Sequence, residues 1–234
     1  MKIDVMTLFP EMCEFYFSQS IVGRAQKKGA IDIKCHQIRD FAYDKHKKTD
    51  DTPCGGGNGM IMLAEPIAQC FEHICKIRQT RPYLIYMSPK GKVLNQYVIK
   101  KLAENSHISI LCGRYEGVDQ RVIDEFVDEQ ISIGDYVLTG GELPAMILVD
   151  SISRMAPGVL ANNECFENES HYNGMLEHPH YTKPEVWRGR AVPEVLLSGH
   201  HANIEAWKKE HSLLETQKYR SDLLEHHAEN VERT

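Results

Sequence analysis

The run Ile131-Ser132-Ile133-Gly134-Asp135-Tyr136-Val137-Leu138-Thr139-Gly140-Gly141-Glu142-Leu143-Pro144 opens as a strand and closes as a helix. Pro144 suits the first helical turn, where a missing N–H costs nothing. Between the two elements, Gly134 and the Gly140-Gly141 pair flank a short apolar segment, Tyr136 to Leu138. Glycine lacks a Cβ, so backbone amides and carbonyls at such positions can come close to a flat, apolar ligand. Taken alone, the glycines fit a tight strand-to-helix turn equally well.

Working upstream, the pattern predicts alternating elements: helix 64–77, strand 83–88, helix 94–104, strand 108–112, helix 118–126 and strand 130–133. Such alternation specifies an α/β fold with a mostly parallel sheet covered on both faces. Three strands then end in comparable loops, Ser88-Pro89-Lys90-Gly91, Gly113-Arg114-Tyr115-Glu116-Gly117 and the run quoted above. Loops at the carboxyl ends of neighbouring parallel strands are where α/β proteins bind ligands, which favours the ligand reading of Gly134 to Gly141. Nearer the N-terminus, strands are expected over 2–8 and 31–38, with helices from Pro10 and over 20–28. The polar segment 44–59 ends in Cys54-Gly55-Gly56-Gly57-Asn58-Gly59, expected to be a mobile loop. No apolar strand precedes it, so it is not a dinucleotide fingerprint.

Downstream, helix 142–155 carries the apolar stripe Ala145, Leu148, Val149, Ile152, Met155, with Asp150 and Arg154 one turn apart on its other face. Residues 161–174 are polar and aperiodic, and read as a flexible linker between a domain over 1–160 and a small all-helical domain over 175–234. Eight of the twelve histidines lie past residue 170, but no thiolate or carboxylate spacing completes a metal site there.

The chain of 234 residues has no apolar run long enough for a membrane span and no signal-peptide pattern at its start, and reads as a soluble cytoplasmic protein. Its seven cysteines form no Cys-x-x-Cys, which argues against a disulfide frame. A net charge of −6 hides a segregated distribution. Residues 76–101 hold seven Lys/Arg and no acid, whereas 115–169 hold twelve acids and two arginines. That segregation leaves open a basic face for a polyanion.

The motifs Gly113-Arg114-Tyr115-Glu116-Gly117-Val118-Asp119, the quoted run and Pro179-His180-Tyr181-Thr182-Lys183-Pro184 strongly resemble the bacterial tRNA (guanine-N1)-methyltransferases of the TrmD family. Asp50-Asp51-Thr52-Pro53 and Val195-Leu196-Leu197-Ser198-Gly199-His200 extend that resemblance over nearly the whole chain. It implies a SPOUT methyltransferase whose sheet is threaded into a deep trefoil knot, with the 175–234 domain binding tRNA. It also implies S-adenosylmethionine as donor, Mg²⁺ as an accessory ion of the reaction, and a homodimer with active sites at the subunit interface. By position, the donor would be held by Tyr86, Met87, Ser88, Pro89, Gly113, Tyr115, Ile133, Gly134, Tyr136, Leu138, Gly140, Gly141 and Pro144.

The acceptor would be N1 of the guanine immediately 3′ of the anticodon, with Glu116 helping to steer that base. Guanine N1 carries a proton and attacks only once a base removes it, which places negative charge on O6. The resemblance gives the O6 role to Arg154. It places the base eleven residues past Gly158, at Glu169, where the family has an aspartate; Glu167, two residues away, is the alternative. The changed base position keeps open a second reading, a catalytically impaired module that binds S-adenosylmethionine and RNA.

Overall fold

The computed structural model describes residues 1–160, 166 and 169–224. They form two compact units, Met1–Asn162 and Asn163–Thr234.

In the first unit, β1 (Lys2–Thr7) leads into helices α1 (Pro10–Phe17) and α2 (Ser20–Lys27), and then β2 (Asp32–Gln37). A two-residue ladder, β3 (Asp50–Asp51) on β4 (Ile61–Met62), precedes α3 (Ala64–Arg78). There follow β5 (Tyr83–Val93), α4 (Gln96–Ala103), β6 (His107–Cys112), α5 (Gln120–Phe126), β7 (Glu129–Ser132) and α6 (Glu142–Ser153). The sheet order is β2-β1-β6-β5-β7 and every pairing is parallel. Alternate residues of β1 bury opposite ways: Ile3 and Val5 join one core layer with α1, α4 and α6, while Met6 joins the other with α3 and α5. A strand buried on both faces, such as β6, is what a helix-sandwiched parallel sheet requires.

One expectation changes here, and one expected loop finds its place. The segment Ser88 to Gly91 is not a loop that ends a strand: β5 runs on to Val93, and both Met87 and Lys92 register with Ile131 of β7. Pro89 cannot donate to the ladder, and a Cβ on Gly91 would lie 2.4 Å from the Gln130 and Ile131 backbone. The chain therefore bulges out and rejoins the same neighbour. Likewise, the glycine-rich stretch 54–59 is the connection of the β3–β4 ladder.

Beneath α3, fully buried Asp4 gathers His36 and His107, each 2.7 Å from one carboxylate oxygen, and the Arg78 guanidinium 3.0 Å away. Burial alone would raise the Asp4 pKa, but hydrogen bonds from His36, Arg78 and His107 outweigh it and hold the group near 2. Since the folded value lies below the unfolded one, this carboxylate stabilises the fold fully above about pH 4, and the contribution is lost as pH falls toward 2. Denaturant titrations should show about 2–3 kcal/mol disappearing across that window. Asp4→Asn should be less stable at neutral pH and show a flatter response below pH 4. A wild-type acid limb unchanged by Asp4→Asn would contradict this assignment.

The charge-only reading of 76–101 also sharpens. Arg78 is committed to Asp4 and Asp32, and Arg81 to Asp128, leaving Lys76, Lys90, Lys92 and Lys101 exposed.

In the second unit, the helix α8 (His201–Tyr219) follows a short α7 (Glu194–Leu197), and both follow an antiparallel hairpin, β8 (Val186–Trp187) with β9 (Arg190–Ala191). The expected all-helical domain therefore contains strands. The reason is local: Arg188 and Gly189 both take positive φ, the conformation that reverses a two-residue hairpin. Thr216 of α8 is buried, and its hydroxyl oxygen accepts the Leu176 N–H at 2.9 Å. Within the expected linker, residues 169–174 form successive turns that belong to this unit, with Tyr172 N–H donating to Glu169 C=O and His171 N–H to Met175 C=O. Of the remaining linker positions Phe166 is described and buried, and the others, Glu167 among them, lie outside the described residues.

Candidate active site

The bulge of β5 and the carboxyl ends of β6 and β7 surround a cavity of about 320 Å³ in the first unit, within the range of small-molecule sites. Tyr86, Met87, Ser88 and Pro89 line it from β5, Gly113, Tyr115 and Glu116 from the loop after β6, and Ile133, Tyr136, Leu138, Gly140, Gly141 and Pro144 from the run after β7. Gly134, also expected in the lining, instead shapes the loop behind it. The Ser132 hydroxyl donates to Gly134 C=O at 3.0 Å and accepts the Gly134 N–H at 3.2 Å.

The walls are backbone held against backbone. Gly141 N–H donates to Gly113 C=O at 2.8 Å, and Arg114 bridges Gly140 in an antiparallel pair. A Cβ on Gly141 would sit 2.8 Å from Cys112 Cα, so only glycine allows this approach. Tyr86 closes the floor: its hydroxyl would be 2.8 Å from a Cβ on Gly113, and burial raises its pKa. Tyr115 holds φ +58, a costly conformation for a non-glycine residue that recurs at ligand-binding loops. The glycine-rich connection also reaches the site, because Glu116 N–H donates to Met60 C=O at 3.0 Å and the Glu116 carboxylate lies against Gly59.

Sequence reasoning missed the anchor of this arrangement. Glu142 starts α6 yet is almost wholly buried, with Arg114 Nε 3.0 Å from one carboxylate oxygen and the Thr7 hydroxyl donating to the other at 2.8 Å. An acid in the first turn of a helix is favoured by the helix dipole. The Arg114 guanidinium covers the Phe9 ring at 4.4 Å. The pair joins the ends of β1, β6 and β7, and breaking it would leave a buried charge without a partner.

The charged side chains of the lining are Lys90, Arg114 and Glu116, and Arg114 is already engaged. The cavity can therefore hold a flat polar-edged molecule, with Glu116 as the one carboxylate in its lining. Neither residue expected to carry the catalytic chemistry lines it. Arg154 caps the C-terminus of α6, and Glu169 belongs to the second unit.

Fold and cavity together define an α/β protein with a cavity of small-molecule size among the backbone segments at the edge of a parallel sheet. The chain belongs to the tRNA (guanine-1)-methyltransferase TrmD family, whose model matches residues 1–226. Among curated relatives, it is 54% identical to the tRNA (guanine-N(1)-)-methyltransferase of Ruminiclostridium cellulolyticum over 95% of this chain and 96% of that one. The proteins of the same description from Alkaliphilus oremlandii and Clostridioides difficile are 52% and 51% identical, over 96% and 95% of this chain and 92% and 97% of theirs.

Proposed function

We propose that this protein methylates N1 of the guanine immediately 3′ of the anticodon in tRNA, using S-adenosylmethionine held in the cavity between β5, β6 and β7. The observation that carries the reading is that twelve of the thirteen residues expected to hold the donor line one cavity. The glycine contacts fit that donor. They bring the backbone close beside the apolar lining of Tyr86, Ile133, Leu138 and Pro144, which suits a molecule with an adenine ring.

The donor supplies a methyl group on a sulfonium that needs no acid to leave. What the chain must supply is an ionised nucleophile. Glu169 takes the N1 proton, Arg154 offsets the charge that passes to O6, and Glu116, at the cavity wall, positions the base. Glutamate in place of the family's aspartate adds one methylene to the base.

The trefoil knot belongs to the same reading and is supported by the tight packing of the run after β7 against the loop after β6. So does the homodimer. Phe9, Met12 and Phe15 at α1, and Leu143 and Ile147 on α6, expose large apolar side chains on two helices in contact. The second unit serves as the tRNA-binding domain, in a cytoplasmic setting; no helix among the described residues is long and apolar enough to cross a membrane. The test is transfer from methyl-labelled donor to tRNA, followed by digestion to nucleosides, which should yield 1-methylguanosine.

A further inference from the structure

We propose that the β8–β9 hairpin of the second unit is an RNA contact, with Trp187 as a stacking platform and Arg188 and Arg190 as its cations; this rests on the tRNA reading above. Residues 181–191 are exposed throughout, and Trp187 leaves 58% of its surface in solvent. A tryptophan more than half exposed adds little packing to the unit. Its ring instead carries the Arg188 guanidinium, 5.0 Å from the centroid, and pairs across the ladder with Arg190. Residues directly opposite in an antiparallel pair project on the same face.

The turn reinforces the case. Arg188 holds φ +50 where asparagine or glycine is the usual choice. The conformation costs free energy and places a cation at the tip, over the ring. From Tyr181 to Val192 the cations Lys183, Arg188 and Arg190 face one carboxylate, Glu185, in a chain whose net charge is −6. An aromatic face flanked by cations is what unpaired bases and phosphates recognise together, since bases stack on the ring or guanidinium plane and the backbone pairs with charge. A protein partner would favour a wider apolar patch than one ring among charges.

The experiment compares tRNA affinity of full-length wild type, Trp187→Ala, Trp187→Phe and Arg188→Asn by filter binding over a salt series. Trp187→Ala should weaken binding about tenfold, Trp187→Phe should keep most of the affinity, and S-adenosylmethionine affinity should not move. Asparagine tolerates positive φ, so Arg188→Asn keeps the turn and should lower the slope of log affinity against log salt by about 0.7–0.9. Wild-type affinity and slope in Trp187→Ala and Arg188→Asn would overturn the proposal, as would a change of oligomeric mass in Trp187→Ala, which would mark a protein interface. Wild type that binds tRNA but transfers no methyl group would instead sink the methyltransferase reading, while these affinity ratios still decide the hairpin.

Discussion

Glu169→Gln should slow single-turnover methylation by about 10²-fold or more, the range for loss of a general base. The amide keeps the shape of the carboxylate but cannot accept the N1 proton. Glu169 lies in a turn of the second unit, where its N–H donates to Phe166 C=O at 3.2 Å and its C=O accepts from Tyr172. Those bonds are made by the backbone and survive the substitution, and thermal unfolding measured beside the rate separates lost chemistry from lost structure. Glu169→Asp, which restores the family's residue, should be mild. A wild-type rate in Glu169→Gln with the loss appearing in Glu167→Gln would move the base by two residues. Wild-type rates in both Glu169→Gln and Glu167→Gln would remove the general-base role from this stretch altogether.

Gly141→Ala should lower S-adenosylmethionine affinity by at least about tenfold and destabilise the first unit by about 1–3 kcal/mol, the range for a forced contact in a packed region. The added methyl would meet Cys112 Cα at 2.8 Å and Gly113 N at 2.9 Å, both backbone atoms of β6 and its loop. Relief requires moving α6 away from that loop, which stretches the Gly141-to-Gly113 hydrogen bond and opens the cavity wall. Gly140→Ala would push its methyl to 2.5 Å from Arg114 Nε and 2.6 Å from Glu142 Oε2, wedging the buried pair apart, so its stability loss should be comparable. Titration calorimetry with thermal unfolding checks both variants. Wild-type donor affinity in Gly141→Ala would mean that this contact does not shape the site.

Much of the first unit was legible because its strands and helices carry strong periodic patterns, and the loops after β6 and β7 announce themselves through Gly113, Gly134, Gly140 and Gly141. The strand continuation beyond Pro89 was not, because proline and glycine are ordinarily stop signals and only the paired strand shows that β5 resumes. In the sequence Glu142 marks only the start of a helix. Its burial depends on Thr7 and Arg114, distant in sequence, and no local pattern encodes that meeting. The same holds for Asp4, whose polar position in an alternating strand predicts exposure, whereas three partners from β2, α3 and β6 bury it. In the second unit, the two-residue strands beside Arg188 and Gly189 are too short for any period to register. The chemistry was legible only through resemblance, since Arg154 and Glu169 carry no spacing signal of their own.

The most direct measurement incubates the purified protein with methyl-labelled S-adenosylmethionine and two tRNA transcripts that differ only in carrying guanine or adenine immediately 3′ of the anticodon. Label should enter the guanine transcript alone, as 1-methylguanosine at that position. Label in both transcripts, at another nucleotide, or in neither while the protein still binds donor and tRNA, would contradict the proposed reaction.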